Sequence, residues 1–544
     1  MSDASALPDR PPKRRAVWGL LGLTLAFAGY AVLGAERNAA SVVLPPVDPS
    51  APAEQRGAAA FLGAGFGGIS QRSLESNAIP WKLAAAALVL DEQSRDPQAA
   101  ADQATLRRVL ARFGFLFPER LLGVPEGLTP AFAAKPLGMT HGTIAPLGGA
   151  KVEVANLGCA ACHSGVGYDA AGNPVTAEAV PGMPNTSLDL ESYTQAIFLA
   201  MRRFGNDDAL LATAERLFPD MDWREKASLR WLVLPLAKSR LAELDGQDRA
   251  MPFPNGLPGA TNGVAALKAQ FGTPLRDGGA LDRGFVSIPE LALRDRRSRL
   301  LTDGAYAAPG GRADPKALAA ITSFFTVPSM GVHPDEARSH QGEAEAIFAW
   351  LAQYRPPPFP GPVNLEQARR GEAIYARDCA ACHGAIRWDS ARPELARYTD
   401  WVGNVGTDPL RADLFDAPLA KAVGDSGYGD AITVKTGQGY AAPPLAGLWA
   451  SAPYLHNGSV QSLEALLNPA RRLPRFMVGG HALDWNTVGI RLGPDGRYPA
   501  GYVPFATPHW VDTALPGLGN GGHTFGQDLT EADRRALIAF LLLL

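Results

Sequence analysis

Cysteine is scarce in this chain: four residues in 544, beside nine histidines. So few thiols exclude a disulfide-built scaffold, which needs cysteine at high density. Neither sign of charge dominates, with 51 Lys and Arg against 54 Asp and Glu. That balance leaves no basic field for nucleic acid and no acidic tail for a cationic partner. No Gly-x-Ser-x-Gly and no His-Glu-x-x-His occurs, so serine-hydrolase and zincin chemistries have no footing. Beyond residue 35 there is no apolar run long enough for a bilayer. Glycine and proline together make about 19% of the residues, under the roughly 25–30% of disordered low-complexity chains. The chain is therefore expected to fold, with many ordered loops, and its length suits several domains.

The four cysteines fall in two copies of one pentapeptide, Cys159-Ala-Ala-Cys162-His163 and Cys379-Ala-Ala-Cys382-His383. Cys-x-x-Cys-His is the attachment pattern of c-type haem. One helical turn sets both sulfurs on the same side, and the next residue projects an imidazole over the ring centre. A disulfide leaves the histidine after each pair unexplained. A Cys2His2 zinc site needs a separate His pair at H-x3-5-H spacing, and there is none. Two covalently bound haem c groups are expected, with His163 and His383 as proximal iron ligands.

Lys13-Arg14-Arg15 precedes an uncharged stretch, residues 16–35, near the ~20 residues a spanning helix needs. Residues 1–35 read as a signal anchor or a signal peptide. The first alternative puts the body in the bacterial periplasm, held to the inner membrane through 16–35; the second gives a secreted form. Residues 36–55 form a proline-punctuated linker, 56–355 an N-terminal haem c domain with large helical additions, and 364–544 a C-terminal cytochrome c-like haem domain. Arg355-Pro-Pro-Pro-Phe-Pro-Gly-Pro362 separates the last two. The expected fold class is mainly α: two cytochrome c-like domains with long ordered loops and a few short strands, plus an N-terminal membrane-anchor helix. Helical periods stand out at Trp81–Leu90, Leu106–Phe113 and Trp223–Leu244, and from Ser187 as a cap-like residue. Residues 364–379 and the final helix from Thr530 are expected to cross, with Gly371 and Tyr375 on the contact face.

The sixth iron position decides between electron transfer and small-molecule chemistry. For the second haem the candidates are His456, Met477, His481, His509 and His523. His523 leads, because Gly519-Asn-Gly-Gly-His-Thr-Phe-Gly526 lets backbone approach a flat ring and sits just before the last helix. Met477 and His456 are its runners-up. For the first haem the choices are His141, Met183, Met330, His333, His340, or an open position, and the last is preferred.

Ala452-Pro-Tyr-Leu-His-Asn-Gly-Ser459, taken with both haem motifs, resembles bacterial dihaem cytochrome c peroxidases and their relatives. Val405-Gly-Thr-Asp-Pro409, residues 443–453, Pro469-Ala-Arg-Arg472, Phe476-Met-Val-Gly-Gly480 and Gly522-His-Thr-Phe-Gly526 resemble the dihaem rubber oxygenase branch. The likeness is good over 365–544, fair over 150–205, loose over 206–350 and nearly absent over the first 150 residues. It implies one bis-histidine haem, with His523 opposite His383, and one reactive haem at Cys159, Cys162 and His163. Phe324 and Phe325, with His333, are the expected distal pocket of the reactive haem, although the segment has no close match to that branch. A calcium ion between the domains is implied only by analogy with the peroxidases.

These readings point to a cell-envelope dihaem oxidoreductase, peroxidase-like or dioxygenase-like. A periplasmic or membrane redox donor would deliver electrons at the C-terminal haem. Peroxide, dioxygen or an organic substrate would meet the N-terminal one. The alternative is a non-catalytic membrane-anchored electron carrier.

Overall fold

The computed structural model describes residues 41–42 and 48–544, except 64–65, 67–68, 71, 129–134, 146–149, 205–206, 245 and 312–313. The apolar stretch 16–35 lies outside the described residues. Among those described, no helix is long and apolar enough to cross a membrane. The expected fold class needs correction: helix makes up 41% and strand 14%, with no anchor helix among the described elements. The described strands form eight small sheets of two to four strands.

Most of these strands are two-residue ladders, too short to show an alternating period. The longer ones bracket the first haem motif. Met139–Ile144 pairs antiparallel with Val152–Leu157, which runs straight into Cys159. Ser164–Tyr168 leaves the motif and pairs with Pro174–Pro181 through a register shift at Val166/Gly167. Gly138 lets the first hairpin press on the motif, since a Cβ there would lie 1.8 Å from the Ala161 nitrogen.

A helix at Ala53–Leu62 begins within the expected linker, and the expected helices form at Trp81–Arg95, Gln103–Arg112 and Leu190–Arg203. The last is capped by Asp189, which accepts from the Ser192 nitrogen at 2.9 Å, whereas the Ser187 hydroxyl accepts from the Gly480 nitrogen. The Trp223–Glu243 stretch is helical with a π turn at Leu229–Val233. Leu365–Asp378 crosses the final helix, Glu531–Leu541. Gly371 sits at the crossing, where a Cβ would lie 2.0 Å from the Ala536 carbonyl oxygen. Tyr375 packs on Phe540 at 5.4 Å between ring centroids and donates to the Gly384 carbonyl.

One apolar core joins residues from before and after the 355–362 proline stretch, among them Phe61, Ile347, Trp350, Tyr375, Trp449 and Phe540. A second collects the N-terminal helices around Leu88, Val109, Tyr193 and Leu210. Residues 287–291 bond to segments from both sides of the proline stretch. The Ser287 nitrogen donates to the His456 carbonyl at 2.8 Å, and the Leu291 nitrogen donates to the Gly182 carbonyl at 3.0 Å.

Candidate functional site

The second motif begins where Leu365–Asp378 ends. The His383 nitrogen donates to the Cys379 carbonyl, closing one turn, and Gly384 exits at φ +95°. Both thiols are free and partly buried. Burial, then the Asp378 charge, pushes the Cys379 pKa up to about 12. His383 Nδ1 lies 2.8 Å from the Pro443 carbonyl oxygen. The carbonyl can only accept, so Nδ1 carries the proton and Nε2 is left as the metal-binding nitrogen. Burial holds the His383 pKa below the usual range, which keeps the ring neutral.

His523 faces it, with ring centroids 6.4 Å apart and planes inclined by 64°. An imidazole nitrogen sits about 2 Å from a bound transition metal. Adding roughly 1 Å from nitrogen to ring centre on each side, two trans imidazoles have centroids about 6 Å apart. The gap is therefore the size of one iron. His523 reaches it from a backbone at φ +43°, unusual for a residue with a Cβ. Its nitrogen donates to the Val405 carbonyl at 2.8 Å, and Gly522 touches Gly406 where a Cβ would lie 2.2 Å away. Arg472 clamps the turn, donating to the carbonyls of Asn520, Gly522 and His523 at 2.5, 2.8 and 3.0 Å. His523 Nδ1 is buried without a hydrogen-bond partner, and burial takes the ring's pKa down to about 4. One cavity is lined by Cys379, Cys382, His383 and His523, with Leu445, Leu455, Leu463, Leu467, Leu537 and Leu541 among its apolar walls. Two thiols, two opposed neutral imidazoles and a greasy enclosure fit haem c.

The first motif repeats half of this pattern. His163 closes its turn on the Cys159 carbonyl, and its Nδ1 lies 3.1 Å from the Pro289 carbonyl oxygen. Nε2 is again free for iron, and burial takes the pKa down to about 4. Asn185 Nδ2 donates to the Ala161 and Gly114 carbonyls, fixing the motif to the turn after the helix Gln103–Arg112. Both thiols are free. Among the described residues, no imidazole faces His163 as His523 faces His383.

The other candidates have other surroundings. His456 lines the second cavity, stacked on Tyr440 at 3.8 Å, and burial drives its pKa down to about 3. Met477 lies in the strand Arg475–Val478, paired with Trp510. His481 is buried, and His509 pairs with Asp189 at 3.1 Å. Phe324 is fully buried against Phe271, Tyr306 and Tyr428, and Phe325 packs on Tyr306. These ring contacts are with one another and their neighbours rather than with His163. His333 is half exposed and caps the helix Pro334–Ser339 through the Asp335 nitrogen. Met183 is buried beside Gly165, and the Met330 carbonyl accepts from Asn77 and Asn156. His340 meets Phe66 edge-on, and His141 lies against Trp81 and 3.3 Å from Glu153. Among the described residues, no group of three or more His, Cys, Asp or Glu is placed to hold a metal ion, so the calcium expectation finds no site there.

Sequence reasoning missed Arg472 and the two proline carbonyls. Backbone acceptors have no side-chain signature, and Arg472 was visible only as part of a family motif.

Residues 439–477 match the family model described as RoxA-like, cytochrome c-like. That segment contains Pro443, His456 and Arg472. Two similar curated proteins come from Sinorhizobium fredii (strain NBRC 101917 / NGR234), and both carry the name uncharacterized protein. The one designated y4iJ is 28% identical over 37% of this chain and 43% of its own length. The other, y4iM, is 33% identical over 26% of this chain and 37% of its own. The chain thus spans less than half the length of these relatives. The geometry of the second motif and the match agree: residues 439–477 are similar to a RoxA-like, cytochrome c-like domain, a kind of domain that implies covalent haem c.

Proposed function

We propose that this is a dihaem c-type oxidoreductase of the cell envelope, with a closed electron-transfer haem at Cys379/Cys382 and an open, reactive haem at Cys159/Cys162. Haem c supplies one-electron transfer where both axial positions are filled, and dioxygen or peroxide chemistry where one is free. The observation that carries the reading is the asymmetry of the two histidines: His383 has His523 at 6.4 Å, and His163 has no such partner among the described residues. His383 and His523 would hold iron from both faces and exclude a substrate from it. The Pro289 and Pro443 carbonyls would fix the tautomer and orientation of His163 and His383, raising ligand basicity. The bridge 287–291, bonded to both neighbourhoods, would set the spacing between the centres. An external donor would meet the C-terminal centre, and peroxide, dioxygen or an organic substrate the N-terminal one.

Electron paramagnetic resonance of the oxidised protein, with a haem assay per chain, tests this. Two haems, one high-spin and one low-spin, are expected, and His523→Ala should convert the low-spin signal to high-spin. Two low-spin signals in the parent protein would instead leave an electron carrier, and a single haem would end the dihaem reading.

A further inference from the structure

We infer that Arg294 and Arg297, contributed by the N-terminal half of the chain, form a carboxylate-binding site for the propionate edge of the haem attached at Cys379 and Cys382. The inference rests on the proposed haem at the second motif and adds to it a partner from across the proline stretch.

The cavity that contains Cys379, Cys382, His383 and His523 is also lined by Arg294 and Arg297. Arg297 is 1% exposed and is among the largest fully buried side chains. Its Nη2 donates to the Leu301 carbonyl at 3.0 Å, but its Nε is buried with no partner. Arg294 turns Nε and Nη2 onto a single acceptor, the Glu290 carbonyl, at 3.0 and 2.5 Å. Burial and then the Arg297 charge lower the Arg294 pKa to about 9, as two cations forced together require. A guanidinium keeps its charge, so an anion is the available remedy.

The nearby acids do not neutralise these cations, although Glu290 Oε2 and Asp400 Oδ1 are themselves buried without a partner. Glu290 accepts from the Leu291 and Ala292 nitrogens, and burial raises its pKa to about 7, which weakens it as a counter-charge. Asp400 accepts from the Ser298 nitrogen and hydroxyl. Neither makes an ion pair with Arg294 or Arg297 among the described residues. Arg411 shows the contrast: it is just as deeply buried and has Asp303 at 2.8 Å. Haem carries two carboxylates on one edge, and the planar guanidinium fork matches that geometry. The second haem would then be held covalently by the C-terminal half and electrostatically by the N-terminal half.

Cations beside the propionates favour the reduced, less positive iron. The test uses full-length holoprotein and spectroelectrochemical titration of both haems, with haem content measured in parallel. Arg297→Gln should shift the low-spin haem toward its oxidised form by about tenfold, or about 59 mV for one electron, with Arg297→Lys retaining most of the parent potential. Arg294→Gln should shift it in the same direction and serves in place of Arg297→Gln should that variant not fold. An unmoved low-spin potential in the folded Gln variants, or a shift confined to the other haem, would overturn the inference. Cys379→Ala with Cys382→Ala separates the two claims: undiminished haem content would sink the underlying haem assignment whatever the arginine variants do.

Discussion

Arg472 helps hold the turn that presents His523. The φ of +43° is unfavourable for histidine, and the guanidinium ties down three carbonyls of that loop, those of Asn520, Gly522 and His523, within 3.0 Å. Hydrogen bonds from a charged donor contribute about 1.5–3 kcal/mol. Arg472→Met should therefore cost about 2–3 kcal/mol in chemical denaturation. It should also raise the high-spin fraction of the haem proposed at Cys379 and Cys382, and a low-spin spectrum unchanged from the parent would argue against the clamp. His481 makes a different prediction. It is 1% exposed, its Nε2 has no partner, and burial takes its pKa down to about 4. The unfolded chain binds this proton below about pH 6.5 while the folded protein refuses it until about pH 4. Stability is thus lost as pH falls through that window, by about 3 kcal/mol for this group. His481→Asn should flatten that part of the stability–pH curve, as measured by denaturant midpoints from pH 4 to 7.

At the level of elements, the crossing of Leu365–Asp378 with Glu531–Leu541 depends on one missing methyl group. A Cβ on Gly371 would lie 2.0 Å from the Ala536 carbonyl oxygen and 2.8 Å from Phe540 Cβ. Overpacking costs about 1–3 kcal/mol, against roughly 1 kcal/mol gained from helix propensity. Gly371→Val should destabilise more than Gly371→Ala, with thermal melts ranking glycine first; equal melting temperatures would refute the close-contact argument. This crossing was legible because its signals are local: a small residue and an aromatic four apart, and Thr530 with Asp533 as a cap. The tight turn before His523 was legible for a similar reason, its glycines announcing close backbone approach. The small sheets were not, because ladders such as Tyr306–Ala307 against Thr433–Val434 join segments far apart with no period of their own. Residues that act through backbone carbonyls, Pro289 and Pro443, leave nothing for composition or spacing to show. The Phe324–Phe325 expectation came from resemblance and apolarity alone, and apolarity serves a core as readily as a pocket.

Across the whole molecule, contacts between the halves are buried and numerous in kind. Arg411 and Asp303 form an ion pair 2.8 Å apart with both side chains 3% exposed, and Arg411 Nη1 also donates to the Gly284 carbonyl. Lys268 pairs with Asp416 at 2.5 Å, Tyr306 packs edge-on against Phe415, and Trp449 Nε1 donates to the Pro357 carbonyl. Such coupling makes independent melting of the two halves costly, since either half alone would expose core surface and unpaired charge. Far-UV circular dichroism and the Soret band should therefore report one coincident thermal transition. Asp303→Asn leaves the Arg411 cation buried beside a neutral amide, and breaking a buried pair in this way costs about 3–5 kcal/mol. Both probes should move down together in that variant. If the Soret transition stayed in place while the circular dichroism shifted, the C-terminal half would be folding on its own, and residues 287–291 would lose the role proposed for them in setting the spacing of two haem centres.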